Sequence, residues 1–520
     1  MKEKIITAEE LAKDMREISV AEFFERNKHF LGYENPTKGL LTVVKEAVDN
    51  SLEFSTEAGI LPEVKIKVKQ ITEDRFKVLV EDNGPGIVKE QLPRAFAKVL
   101  YGSRFHTLKQ SRSLFGIGIK GACLYSQLTT GKPIKVESSS GKGPTHIFEL
   151  MIDVAKNEPK IISHATKENP SGWRGIKIEM EVEGRYISGG HSISNYLKQT
   201  AMANPFAKIS FDGPDGKIVF KRVTRKLPPR PKEIKPHPYG VEIGILRRML
   251  AATKAKNIVA FLNTEFSRVG KRSAQQMCKK ARIEFDRKPQ SLTMEESEKL
   301  YKAVKATKLM APPTNCLSPL GEELLIEGLK KETGAEHVVA VTRTPTVYKG
   351  HPFEVEVALG YGGSLPEESA LLFRFANKVP LFYHQGDCVI TEAVKEVDWH
   401  RYGISQSKGQ LPGGPLAILV HFASVWVPFT SEGKQAIACY PEILKEIKLA
   451  LQDAGRELAR YIRKKAKLRE SMLRREIFER YSIVVAESLA ELTEKDREDI
   501  LKKLLAYSKS NLQREDRKSD

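Results

Sequence analysis

KEAVDNSLE, residues 45 to 53, is the stretch on which the fold turns. Leu40, Val44, Ala47, Val48 and Leu52 recur at helical spacing, so it belongs to an amphipathic helix from Asn35 to Glu57 whose start is marked by Pro36. At about 100° per residue, Glu46 and Asn50 are i,i+4 neighbours at the edge of that apolar arc, and a carboxylate and an amide oxygen point into one place. Such a pair can divide labour: the carboxylate takes a proton from an attacking water and the amide oxygen ligates a hard cation such as Mg²⁺. Taken alone, such a pair is more often an ordinary charged helix border.

Downstream the period changes to that of strands. PEVKIKVKQI (62–71) and FKVLVEDN (76–83) alternate with β-branched residues, and the second runs into the turn Asp82-Asn83-Gly84-Pro85-Gly86. Asp82 can accept a hydrogen bond from an exocyclic amine, and Gly84 and Gly86 allow close approach of a flat ligand, although the same residues also make plain turns. A third motif, Gly116-Ile117-Gly118-Ile119-Lys120-Gly121, offers bare amides at a helix start to phosphate oxygens, with Lys120 adding charge. It also fits a dinucleotide fingerprint, since Glu137 follows Gly116 by 21 residues. Against that stands the preceding SRFHTLKQSRS (103–113), polar and basic where a first strand should run into the glycines; it reads as a mobile lid.

Farther out, IKVESSS, THIFELMID and GIKIEMEVEG read as strands, and LPPRPKEIKPHP is a proline-rich linker. VEIGILRRMLAA, AFLNTEFSRVG and RSAQQMCKKARIEF read as short helices of a compact module closed by Pro312-Pro313. From about Ala335, HVVAVTRTPTVY, FEVEVALGYGG, LLFRFANKVPLF and GPLAILVHFASVWVPF give a mixed α/β layer. The chain is then helical from Tyr440 to about Tyr507, with a basic run that is either a solvated face or a contact surface, and NLQREDRKSD is a disordered tail.

At 520 residues the chain is multidomain, and 85 basic against 66 acidic residues, a formal charge of +19, favour a polyanionic partner. Five scattered cysteines without a CxxC encode neither disulfides nor a zinc ribbon and read as buried thiols. With no long apolar run and no secretion signal at the start, the expectation is a soluble, cytoplasmic protein with no membrane partner.

The ordered set Glu46-x-x-x-Asn50, Asp82-x-Gly84-x-Gly86 and Gly116-x-Gly118-x-x-Gly121 resembles the GHKL ATPases, the superfamily of gyrase-type topoisomerases, Hsp90, MutL and histidine kinases. The likeness implies ATP and Mg²⁺ as ligands, Glu46 as general base, Asn50 as Mg²⁺ ligand and Asp82 as adenine reader. It places Gly84 and Gly86 beside the base. Over the phosphates it places a lid from Ser103-Arg104 to Ser113, Leu114, Phe115, Gly116, Ile117, Gly118, Ile119, Lys120 and Gly121. Glu46 argues against a histidine kinase. YGSRF, FGIGIKGACLYSQ, YPEILKEIKLALQDAGREL and the helical module are similar to the archaeal-type topoisomerase VI B subunit, over residue 1 to about residue 470.

That resemblance implies an α+β multidomain fold: a GHKL (Bergerat) α/β sandwich with an N-terminal strap at 1–228, and a helix-two-turns-helix domain at 229–307. An α/β transducer with a long C-terminal helix follows at 308–470, and a helical extension and tail at 471–520. It implies an ATP-hydrolysing subunit of a type II DNA topoisomerase that dimerises on ATP, captures double-stranded DNA and gates its passage through a separate cleavage subunit, in an A2B2 heterotetramer. Lys434, in FTSEGKQAIA, holds the position of the transducer lysine that reaches the nucleotide. Trp399-His400-Arg401-Tyr402 resembles a DNA-sensing WKxY loop with His in place of Lys; Trp399, Arg401 and Tyr402 are its candidate phosphate grip, or the aromatics are core. Gly175-Ile176 stands where many relatives have Gly-Thr near the adenine. No DxD pair near a Glu and no nucleophilic tyrosine on a winged helix can be found, so cutting requires the partner. The alternatives are a GHKL clamp of MutL or chaperone type without a cleavage partner, and a basic DNA-binding scaffold with a degenerate nucleotide fold.

Overall fold

The computed structural model describes residues 8–12, 17–103, 107–113, 116–431, 433–493 and 496–517. They form two compact units, residues 1–397 with 407–454, and residues 398–406 with 455–520.

In the first unit, the segments α1 (Ala8–Ala12) and α2 (Val20–Arg26) precede α3 (Pro36–Glu57). Helix α3 starts where expected: Asn35 is extended, its side chain accepts from the Lys38 amide, and Pro36 occupies the first turn, where no intrahelical N–H is needed. Strands β1 (Glu63–Gln70) and β2 (Arg75–Asp82) follow, then α4 (Leu92–Ala97), α5 (Gly118–Thr130), β3 (Ile134–Ser140), β4 (Thr145–Asp153), β5 (Glu158–Lys167), β6 (Arg174–Glu183), α6 (Ile193–Met202), β7 (Lys208–Gly213) and β8 (Gly216–Phe220). The strands form one sheet in the order β5-β4-β3-β6-β2-β1-β7-β8, antiparallel except where β1 meets β7. Alternation splits its faces. Val64, Ile66, Phe76, Val78, Val80, Ile178 and Met180 are buried, with α3 lying on β2 and β6, α5 on β6 and α6 on β7. The opposite face carries cross-strand pairs such as Lys65–Glu81 at 2.8 Å and Lys77–Glu179 at 2.9 Å.

Strand β5, together with α6, β7 and β8, has no counterpart in the sequence reading. EPKIISHATK is exposed at nearly every position because it is an edge strand paired only with β4, so it shows no apolar alternation to detect.

A helical module follows the linker: α7 (Ile243–Ala252), α8 (Ile258–Glu265), α9 (Lys271–Ala281) and α10 (Met294–Lys305) close on a core of their own that includes Leu246, Phe261, Leu262, Met277 and Leu300. The fourth helix begins in a full capping box between Thr293 and Glu296, a signature present in the sequence but not read there.

Next come α11 (Glu322–Thr333), β9 (His337–Thr342), β10 (Thr346–Tyr348), β11 (His351–Tyr361), β12 (Leu371–Ala376), β13 (Val379–Pro380), α12 (Val389–Glu396) and β14 (Leu416–Ser424). The sheet order is β10-β11-β14-β12-β13, with β9 also paired to β11 and β12 running parallel to β14. All nine residues of β14 are buried. Helix α11 packs on α6 as well as on β9 and β11, so Leu324, Leu325 and Leu329 join the core of the first sheet to that of the second.

Helix α13 (Pro441–Thr493) is followed by α14 (Arg497–Arg517). Residues 511–517 are helical, as the end of α14, where the sequence reading expected a disordered tail. Cys123, Cys278, Cys316 and Cys388 are buried as expected, whereas Cys439 is exposed. Among the described residues no helix is long and apolar enough to cross a membrane.

Candidate functional site

Helix α3 and strand β2 set the walls of a cavity of about 500 Å³, closed by the turn after β2 and by both ends of the segment that leads into α5. Asn50, Asp82, Gly86, Ser103, Gly116, Ile119 and Lys120 all line it, with apolar surface from Ala47, Phe54, Val80, Ile87 and Ile178.

At one end sits Asp82, the last residue of β2. Its Oδ1 accepts from the amides of Gly84 (2.9 Å) and Ile176 (3.0 Å), and its Oδ2 from the hydroxyl of Ser51 (2.8 Å). Burial pushes the carboxyl's pKa up, and these donors hold it back. The carboxylate is thus fixed in orientation, with acceptor capacity left for a donor entering from an apolar slot. Gly86 is obligatory in its turn: its φ is +72°, and a Cβ there would lie 2.2 Å from the carbonyl oxygen of Ser139.

One helical turn before Asn50, Glu46 is buried against the start of α5. A Cβ on Gly118 would lie 1.7 Å from Glu46 Oε2, so only glycine lets the helix N-terminus and the carboxylate share this corner. The amide nitrogen of Asn50 donates to the Glu46 backbone oxygen at 2.9 Å, which leaves the amide oxygen as the polar atom it can offer to a cation. Two ammonium groups flank the Glu46 carboxylate: Lys434 Nζ at 3.8 Å and Lys45 Nζ at 3.9 Å from Oε1. Lys45 Nζ also donates to the carbonyl of Gly433 at 3.1 Å, seating the loop after β14 beside α3. Lys120 reaches across the mouth of the lid instead, its Nζ donating to the carbonyls of Gly116 (2.6 Å) and Tyr101 (2.7 Å).

Glu46 and Lys434 do not line the main cavity; they line a smaller pocket together with Lys45 and Gly433. Gly84 lies behind Asp82 as an amide donor. Ile117 caps α5, and Gly121 faces inward, where a Cβ would come within 3.1 Å of Leu31, so its smallness serves helix packing. Ser113 is buried in a tight loop with Ser111 and does not line the cavity. Arg104, Leu114 and Phe115 lie outside the described residues.

Ser51 and Lys45 escape the sequence reading, although both sit inside KEAVDNSLE; a serine and a lysine at buried positions of an otherwise apolar helix are the available signal. At Gly175-Ile176, the backbone amide of Ile176 and the hydroxyl of Ser51 both bind Asp82.

Of the two readings of Trp399 and Tyr402, the burial of both rings fits the core one. Trp399 is fully buried and Tyr402 nearly so, the rings meeting edge to face at 6.1 Å, because in the second unit Tyr402 packs against Gly455. Arg401 and His400 are the exposed members; Arg401 pairs with Asp398 at 3.1 Å and the His400 ring contacts the Gln406 carbonyl at 2.9 Å.

Two family models match the chain. The one described as histidine kinase-, DNA gyrase B- and HSP90-like ATPase covers residues 35–155, and the one described as topoisomerase VI B subunit, transducer, covers residues 312–474. The B subunit of type 2 DNA topoisomerase 6 from Methanosarcina barkeri is 47% identical over 500 residues, spanning 95% of this chain and 80% of the relative. Its namesake in Archaeoglobus fulgidus is 47% identical over 487 residues, spanning 92% and 80%. That of Pyrococcus horikoshii is 39% identical over 557 aligned positions, spanning 98% of both chains.

Proposed function

Because this chain belongs to the family of type 2 DNA topoisomerase 6 B subunits, we propose that it is the ATP-hydrolysing subunit of such an enzyme and works through the cavity between α3, β2 and α5. The adenine amine donates to Asp82 in the apolar slot, and the phosphates extend toward Asn50 and the amides that open α5. Glu46 is the general base that takes a proton from the attacking water. The neighbouring ammonium groups hold its carboxylate in place.

Mg²⁺ fits this donor set: the Asn50 amide oxygen is a hard ligand in the cavity wall, and a bound magnesium would neutralise phosphate charge. Among the described residues no group of three or more His, Cys, Asp or Glu side chains is placed to hold a metal, so Asn50 would share the ion with the nucleotide's own oxygens. Lys434 stands on a loop of the second sheet. A cation there that engages the terminal phosphate is held only while that phosphate is present, and its release frees the loop.

ATP-driven pairing of two such subunits, with residues 1–30 as strap, would close on duplex DNA drawn by the +19 charge, at the nucleoid. The four-part division at 228, 307 and 470 is retained for this cycle. A separate cleavage subunit, two copies of each chain making the A2B2 assembly, performs the cutting. The apolar run Leu473, Ile477, Tyr481 and Val484 on α13, exposed and spaced by helical turns, is a surface suited to that partner.

The observation that carries the reading is the meeting of Glu46, Lys434 and Gly118 one helical turn from Asn50, which itself shares a cavity with Asp82. Glu46→Ala is expected to bind ATP and dimerise but lose hydrolysis by about 10²-fold or more. With the cleavage subunit added, it should fail to relax supercoiled DNA in multiple cycles. Wild-type turnover in that variant would remove Glu46 from the role, and ATP-independent relaxation by the unaltered pair would remove the whole scheme.

A further inference from the structure

The segment 108–113, at the foot of the lid, is joined to the second sheet by buried polar contacts that do not include Lys434. Residues Asn377 and Lys378 form a two-residue turn between β12 and β13, with φ of 48° and 68°. Asn377 Nδ2 donates to the carbonyl of Ser111 at 2.8 Å, and the carbonyl of Lys378 accepts from Arg112 Nη1 at 3.2 Å. Lys378 Nζ donates to the Ser318 hydroxyl at 2.6 Å, and the Ser318 backbone exchanges hydrogen bonds with the Gln110 side chain at 2.6 and 3.2 Å. The turn is anchored in its own sheet: its Lys378 amide donates to His421 Nε2 at 2.9 Å, and Asn377 is bonded to the backbone of Ser424.

Arg112, 6% exposed, turns this junction onto the catalytic helix. Its backbone amide donates to Glu53 Oε1 at 2.9 Å, and its guanidinium lies 3.8 Å from Asp49 Oδ1 while also donating to Asn204, at the end of α6. Asp49 and Glu53 are one turn apart on α3, on the same stripe as Glu46, while Asn50 and Ser51 turn toward the cavity. One residue therefore clamps α3 along the buried stripe that carries Glu46, stands four residues before Gly116, and is itself held by the turn of the second sheet.

We propose that Arg112 is a positioning residue for ATP hydrolysis, and that the Asn377–Lys378 turn sets its place, giving the second sheet a route to the catalytic geometry of Glu46 and Asn50 separate from Lys434. The proposal rests on the reading of the cavity as the ATP site. A rotation of α3 would move Glu46 and Asn50 together, and displacements of about 1 Å at reacting groups cost on the order of 10²-fold in rate. Uniform binding of nucleotide, by contrast, depends on Asp82 and the apolar slot, which Arg112 does not touch.

The test uses the full chain with its cleavage subunit and compares steady-state ATP hydrolysis of Arg112→Gln, Asn377→Ala and their combination. Asp49→Asn/Arg112→Gln is added as a charge-neutral version of the clamp that avoids leaving a buried carboxylate alone. Arg112→Gln is expected to lower kcat about tenfold or more while KM for ATP stays within about threefold. Asn377→Ala should show the same split more weakly, and the combination should be no worse than Arg112→Gln alone, since both act along one chain of contacts. Melting curves check that the proteins are folded; if Arg112→Gln is not, the charge-neutral pair is the variant read. A rise in KM with kcat unchanged, or additive losses in the combination, would overturn the proposal. Glu46→Ala run alongside separates the two readings: if it hydrolyses normally, the site assignment fails, and if it is inactive while the Arg112 variants match wild type, only the clamp fails.

Discussion

The two sheets of the first unit treat charge in opposite ways. The sheet under α3 keeps its ion pairs on the solvent face, where Lys65–Glu81 and Lys77–Glu179 bridge neighbouring strands, while the alternate positions Phe76, Val78 and Val80 are buried and apolar. The sheet built on β11 and β14 is buried on both faces and carries charge inside it: Glu356 and His421 are both fully buried, with Nδ1 of the histidine 2.6 Å from the carboxylate. Glu356 also accepts from the amides of Leu320 (2.8 Å) and Gly321 (2.6 Å), the residues that open α11. Burial would raise its pKa, but His421 and those amides overcome that and hold it low. The difference teaches where motion is read. Surface pairs fix register cheaply and signal nothing, whereas a buried network is all-or-none and ties the second sheet to the lid foot, to α11 and to the catalytic helix.

The sharpest way to break this contrast is to delete one partner on each sheet. Glu356→Ala leaves His421 Nδ1 and two helix-opening amides without their partner in the interior, and is expected to cost about 3–5 kcal/mol, read as a lowered midpoint in denaturant. A loss below about 1 kcal/mol would show that the second sheet is no more dependent on its charges than the first.

A subtler probe is Glu354, two residues away, whose carboxyl is pushed up to about 7 from the usual 4.5 by burial and by the neighbouring Glu356. The folded state then holds a proton that the unfolded state has released between about pH 4.5 and 7, so this group's contribution to stability falls as pH rises through that window and is flat above it. Glu354→Gln, which cannot ionise, should gain thermal stability relative to wild type as pH is raised from about 5 to 8. A difference between the two proteins that does not change with pH would place Glu354 in water.

The smallest effect is expected on the first sheet. Lys77→Ala removes a half-exposed partner of Glu179 and should change stability by no more than about 1 kcal/mol, less in high salt. A larger loss would mean that the surface pairs, too, are structural.

This contrast also governs what the sequence could disclose. The first sheet is legible because a sheet with one wet face alternates: PEVKIKVKQI and FKVLVEDN announce their strands, and the three glycine- and acid-bearing motifs lie close by in the chain. Where a strand is wet on both faces, as in β5, the signal vanishes. The second sheet's strands show as apolar runs, yet the partnership of Glu356 with His421, or of Asn377 with Ser111, joins residues far apart in the chain and leaves no local pattern. The site divides in the same manner: Glu46, Asn50 and Asp82 stand out by spacing, while Lys45 and Arg112 gain their meaning only from the loop and turn that reach them across the fold. Trp399 and Tyr402 show the converse, a motif open to a surface or a core reading whose rings the fold buries.

The most direct trial of the account is a structure of the chain with a non-hydrolysable ATP analogue and Mg²⁺. It should show the adenine amine on Asp82, the metal on the Asn50 oxygen, and the terminal phosphate between Glu46 and Lys434. A nucleotide bound elsewhere, or seated with its terminal phosphate away from Glu46, would contradict it.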